Sequence, residues 1–207
     1  MNYLAHLYLA RHGDDAMLGA LLGDFVFGVS GPAAYPAPIR DEILVHRRID
    51  RYTDAHPSVA AARARFADGR RRYAGIALDV YYDHLLARDW ARWSEIDLDA
   101  FTSRFYAHLL ANQAQLPARL QTIAPMMAQH DWLGSYRDRA SVDRAVRGIA
   151  TRLSRNGDKL VACLDVLRVR ESEIDIAFES FFPDLIESAA RMRTDGVFGP
   201  HPHDEEH

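Results

Sequence analysis

The sequence predicts an all-α protein folded as a single-domain helical bundle. Long stretches carry apolar residues at helical spacing, and no window sustains the alternation of a half-buried strand. The chain has 207 residues, 48% of them apolar and 26% charged. That is ordinary globular composition at roughly the size of one domain, with apolar residues enough for a core without disulfides. No internal repeat is visible. The expected domain therefore spans residues 1–195, and residues 196–207 form a flexible tail rich in histidine and acid.

The elements read in order as follows. Residues 2–10 are short and apolar and suit either a strand or a helix. Asp14 and Asp15 open a mostly apolar helix expected over 14–28. Gly28 to Pro38, with three prolines, two glycines and a serine, is the clearest loop. Further helices are expected at about 39–53, 57–67, 70–88, 98–115, 118–128, 141–155 and 172–192. Pro57 suits the first turn of its helix, and Ser141 reads as an N-cap two residues before Asp143. His130-Asp131 reads as the start of a helix rather than as a catalytic pair.

Charge and cysteine content narrow the function classes. Twenty-five basic against twenty-nine acidic residues leave a net charge of −4, which argues against a general nucleic-acid binder. The basic charge is almost all arginine, Lys159 being the only lysine. It gathers in two places: Arg47, Arg48 and Arg51, then Arg63, Arg65, Arg70, Arg71 and Arg72. Local basic patches on a mildly acidic protein point to a discrete anionic partner. One cysteine, Cys163, supplies neither an internal disulfide nor a thiolate metal site. No apolar run reaches the roughly 18 residues of a membrane helix, and the opening segment lacks a signal peptide's basic start. A cytoplasmic protein is expected.

The informative residues are acids and histidines inside apolar windows. Asp24 follows Ala20-Leu21-Leu22-Gly23, and Asp79, Asp83 and His84 interrupt the run from Ile76 to Leu86. His6 stands in Tyr3-Leu4-Ala5-His6-Leu7. A helix that is apolar nearly all round is buried, so these carboxylates are expected to be shielded from solvent. Several buried acids at one place repel each other, and a divalent cation resolves that repulsion. His46, Asp50 and Asp54 recur every four residues, a step of about 40° around a helix, so they share one face. Imidazole and carboxylate without thiolate favour Mn²⁺, Mg²⁺ or Fe²⁺ over structural zinc. Each residue also has a structural reading. Asp50 and Asp54 suit ion pairs with the neighbouring arginines, Asp24 or Asp54 suits a helix cap, and Asp83 suits a pairing with Arg88. Phosphate loops, GxSxG elbows, HExxH and Glu-x-x-His pairs are absent from the sequence.

In these blocks the sequence resembles the acyl carrier protein phosphodiesterase family. The resemblance rests on Asn2-Tyr3-Leu4-Ala5-His6-Leu7, Leu22-Gly23-Asp24-Phe25-Val26, His46-Arg47-Arg48-Ile49-Asp50-Arg51-Tyr52-Thr53-Asp54 and Asp79-Val80-Tyr81-Tyr82-Asp83-His84. It continues more loosely through Trp132-Leu133, Tyr136, the segment 149–155 and Phe181-Phe182-Pro183. It implies a helical enzyme distantly similar to His-Asp metal-dependent phosphohydrolases, with Mn²⁺ as cofactor and acyl carrier protein as substrate. The reaction would release 4′-phosphopantetheine from holo-acyl carrier protein. The adjacent His-Asp pair of that wider group is replaced by Asp83-His84, and the acid belonging to His46 is Asp50.

These readings define the expected site. Asp24, His46, Asp50, Asp83 and His84 are the candidate catalytic residues, and His6 and Asp79 join them in the candidate metal shell. A divalent cation there would acidify water and offset phosphoryl charge. Arg47 or Arg48 would hold a phosphate oxygen. Arg70, Arg71 and Arg72 would dock an acidic carrier-protein helix. A nucleotide phosphohydrolase and a noncatalytic helical binding protein are the rival readings.

Overall fold

The computed structural model describes residues 1–67 and 69–194, and all regular structure among them is helical. The expected tail at 196–207 lies outside the described residues. The order is α1 (Tyr3–Leu9), α2 (Asp14–Leu22), α3 (Ala37–Ala55), α4 (Pro57–Ala64), α5 (Arg71–Arg88), α6 (Trp90–Trp93), α7 (Leu98–Ala111), α8 (Ala118–Gln129), α9 (Arg139–Ala150), α10 (Gly157–Val161), α11 (Cys163–Val169) and α12 (Glu171–Thr194). Short 3₁₀ turns lie at Gly31–Ala34, Gln113–Gln115 and Gly134–Arg137. Among the described residues no helix is long and apolar enough to cross a membrane.

Helix α5 is the axis of the bundle. Its residues Val80 to Ala87 are all buried, without a polar face, because other elements surround it. α1, α4, α9, α10, α11, α12 and the 3₁₀ turn at Gly134–Arg137 all pack against it. A helix can be apolar all round only when it has such neighbours. Tyr82 lies against Phe178 and Phe181 of α12, and Phe178 stacks on Phe182, ring centroids 4.9 Å apart. Burying each such ring is worth roughly 1.5–3 kcal/mol. The other broad contact pairs α2 with α3, while α12 closes over α3 and α4.

Several expected boundaries move. The opening segment is a helix. The helix expected over 14–28 stops at Leu22, capped by Gly23, and the chain turns through Asp24 to Val26. The apolar residues that suggested continuation, Phe25 and Val26, are buried by that turn instead. α7 ends at Ala111, earlier than expected. Ser141 is inside α9, not its cap; the cap position is Asp138, and the Ser141 hydroxyl donates to the Ser135 carbonyl. His130-Asp131 ends a helix rather than starting one. His130 caps the C-terminus of α8, and Asp131, with φ 42°, accepts a hydrogen bond from the Gly134 amide in the following turn. α6, α10 and α11 had no expectation attached.

Candidate metal centre

The site is assembled where α1, α2 and α3 meet. The first amides of a helix lack partners within it, and in α1 the partner comes from α5. The Asp83 carboxylate accepts the amides of Leu4 at 2.8 Å and Ala5 at 2.9 Å. This remote cap pins the start of α1 to the core helix and sets His6 less than a turn further on. Asp83 is fully buried, and burial pushes its carboxyl up to about 7 against the pull of the two amides.

α3 contributes His46 and Asp50, four residues apart on one face, as their spacing required. The His46 ring is buried and fits against Gly23, where a Cβ would overlap it. The Nδ1 of His46 lies 2.8 Å from the Ala20 carbonyl oxygen, so Nδ1 carries the proton and donates it there. The other ring nitrogen, Nε2, is turned toward two carboxylates. That Nε2 faces Asp50 Oδ2 at 3.2 Å and Asp24 Oδ1 at 3.8 Å.

His6 approaches the same carboxylate from α1. Its Nε2 lies 3.1 Å from Asp50 Oδ1, and its ring stacks on His46 with centroids 3.7 Å apart and planes 16° apart. The His6 Nδ1 is buried with no hydrogen-bond partner. Burial and the neighbouring His46 push the His6 ring down to about 3. Burial alone would raise the Asp50 carboxyl, but hydrogen bonds from His46 and His6 hold it far below the usual carboxylate range.

These features test the donor set. Two imidazole nitrogens converge on one carboxylate, and the buried His6 Nδ1 has no partner. Imidazole and carboxylate are ordinary ligand types for divalent cations. The residues therefore fit a divalent cation. His6, His46 and Asp50 form the group of potential ligand atoms found close together among the described residues.

The remaining expected residues divide. Asp24 stands at the rim, its side chain 41% exposed rather than shielded as the apolar window implied. It lies beyond the end of α2, on the turn rather than within a helix. Surrounding protein still pushes its carboxyl up, while His46 pulls it down. Asp79 is also partly exposed and, like Asp50, lies 3.3 Å from the Met1 amino group. Asp83 and His84 do not join the cluster. His84 Nδ1 is 2.7 Å from the Tyr136 carbonyl oxygen, and burial pushes the ring down. Asp54 neither joins the cluster nor caps α4. It pairs with Arg63, and the cap is His56, whose ring accepts the Ser58 amide.

The expected phosphate-binding arginines are engaged elsewhere. Arg47 donates to the Val26 carbonyl and so braces the turn that carries Asp24. Arg48 donates to the Met192 carbonyl of α12, and Arg70 to the Ala162 carbonyl. Arg65 pairs with Glu173, and Arg71 and Arg72 are exposed at the start of α5. A cleft of about 250 Å³ opens beside the cluster, lined by Tyr3, Asp24, Phe25, Asp79 and Arg119 among others. Arg119 was missed because no sequence motif contains it and it enters from the distant α8. A larger cleft of about 630 Å³, between His12, Asp15, His108 and Arg193, shares no lining residue with the smaller one.

Comparison with known proteins supports the family resemblance. Residues 1–185 match the family model described as acyl carrier protein phosphodiesterase. A relative from Serratia proteamaculans named acyl carrier protein phosphodiesterase is 35% identical over 190 residues, covering 91% of this chain and 97% of its own. One from Salmonella agona, with the same name, is 36% identical over 200 residues, covering 92% and 98%. No solved structure is significantly similar to the chain.

Proposed function

The chain belongs to the acyl carrier protein phosphodiesterase family, and we propose that it is a divalent-cation-dependent hydrolase of holo-acyl carrier protein. Water adds at phosphorus, the bond from phosphorus to the carrier's serine oxygen breaks, and that oxygen leaves with a proton. The products are apo-acyl carrier protein and 4′-phosphopantetheine. The observation that supports the cation dependence is the convergence of His6, His46 and Asp50, whose potential ligand atoms all lie within 4.8 Å of one another.

His6, His46 and Asp50 would hold the cation, with Asp24 adding a carboxylate from the cleft side. A divalent cation, Mn²⁺ by family resemblance, would supply Lewis acidity, acidifying water and offsetting phosphoryl charge. The Ala20 carbonyl keeps His46 in the ligating tautomer, a supporting role that ligating histidines commonly require. Asp83 acts at one remove by fixing the helix that bears His6. The arginines at the start of α5 are the proposed docking face for an acidic carrier-protein helix.

The test is incubation of purified protein with holo-acyl carrier protein, followed by intact mass. Loss of the phosphopantetheine mass is expected with Mn²⁺ and not after chelation. Full turnover with metal removal verified would overturn the cation dependence. Hydrolysis of small nucleotides without action on holo-acyl carrier protein would replace the substrate assignment.

A further inference from the structure

The cleft beside the cluster is lined by Asp24 and Asp79, and an anionic phosphodiester entering it needs a positive side chain. Most arginines read from the sequence are committed to carbonyls or carboxylates. Arg119 is different. It lines this cleft and is exposed, and among the described residues it makes no ion pair or hydrogen bond. Its guanidinium sits over the Phe25 ring, 5.7 Å from the centroid, and Phe25 in turn stacks on Tyr3 with centroids 6.2 Å apart. A cation–π contact with the ring leaves the guanidinium N–H groups available to a pair of acceptors. The Tyr3 hydroxyl, with Asp24 on one side, also feels Arg119 and Arg152. The cleft thus has acids on the cluster side and a braced cation on the α8 side.

We propose that Arg119 is a substrate-binding residue that grips the nonbridging oxygens of the phosphoryl group, opposite the His6–His46–Asp50 cluster. The ligand class is a phosphate ester, and the assignment deepens the phosphodiesterase reading and rests on it. Phe25 keeps the guanidinium fork oriented, so bidentate contact forms with little reordering.

The experiment measures inorganic phosphate affinity by calorimetry, Mn²⁺ affinity, and kcat and KM on holo-acyl carrier protein. It compares wild type, Arg119→Ala, Arg119→Lys and, as a control for general charge, Arg147→Ala, an exposed arginine of α9 that does not line the cleft. Arg119→Ala is expected to weaken phosphate binding and lower kcat/KM by about ten- to a hundredfold, the range for losing one charged hydrogen-bonding partner. Mn²⁺ affinity should stay within about twofold of wild type, since Arg119 is no ligand. Arg119→Lys keeps the charge but not the fork and should fall between the two. Unchanged phosphate affinity and unchanged kcat/KM in Arg119→Ala would overturn the assignment, as would an equal loss in Arg147→Ala. Should wild type leave holo-acyl carrier protein intact while phosphate binding still depends on Arg119, the substrate reading falls and the anion site stands.

Discussion

His6 and His46 stack face to face, centroids 3.7 Å apart, and each directs Nε2 at a different oxygen of Asp50. Two rings at that separation cannot both be imidazolium without strong repulsion, and the His6 ring is held neutral down to about pH 3. The pair therefore brings two ring nitrogens to one carboxylate, with the His6 ring uncharged.

Replacing that carboxylate tests the arrangement most directly. Asp50→Asn is expected to fold, to bind Mn²⁺ about 10–100-fold more weakly, and to lose turnover by at least two orders of magnitude. Titration calorimetry and the intact-mass assay read both quantities. Normal Mn²⁺ affinity in a folded Asp50→Asn protein would remove Asp50 from the ligand set.

Gly23 is needed for space rather than for backbone freedom. A methyl group at this position would overlap the His46 ring. Gly23→Ala is expected to destabilise the protein by about 1–3 kcal/mol, the usual cost of overpacking. It should reduce Mn²⁺ binding far more than a substitution of similar cost elsewhere. A variant with wild-type metal affinity would show that His46 can shift without consequence.

Asp83 has a structural task despite its place in a dense motif. Asp83→Ala leaves two buried amides of α1 without acceptors, an expected loss of about 1–3 kcal/mol. Activity should fall only as far as His6 is displaced, so Mn²⁺ excess should restore part of it. Denaturant unfolding and activity across a Mn²⁺ titration decide. Loss of turnover at unchanged stability and metal affinity would instead place Asp83 in the chemistry.

The same residue predicts a pH dependence. Its folded carboxyl is held up to about 7, against about 3.9 unfolded. Between those values the folded protein binds more protons, so this contribution to stability is complete below the lower value and fades as pH rises through the upper one. His6 acts oppositely over much of the same range, its folded value of about 3 lying below about 6.5 unfolded. The readout is therefore the stability difference between wild type and Asp83→Asn, which should fall as pH rises from about 4 to about 7. A flat difference would contradict the raised carboxyl.

The docking face is tested by charge. Arg71 and Arg72 lie exposed at the start of α5. Arg71→Glu with Arg72→Glu should raise KM for holo-acyl carrier protein severalfold at low ionic strength, and the gap should narrow with salt. An unchanged KM at every ionic strength would make this end of the helix a solvated face only.

What the sequence determined by itself follows from local rules. Helical periodicity gave the class and most of the helices, and the i, i+4 step from His46 to Asp50 placed both on one face before any tertiary contact was known. The blocks around His6, Asp24, His46 and Asp83 were enough to identify the family resemblance. Which of those polar residues converge was decided only by tertiary structure. Asp83 and His46 both stand among apolar neighbours, and nothing along the chain shows that one accepts the amides of α1 while the other meets Asp50. An apolar window signals burial, but not the partner that burial demands; that partner comes from another element, such as Ala20 for His46 or Leu4 and Ala5 for Asp83. Arg119 carried no local signal at all. Its position beside Asp24 is created by the packing of the bundle, which brings together residues far apart along the chain.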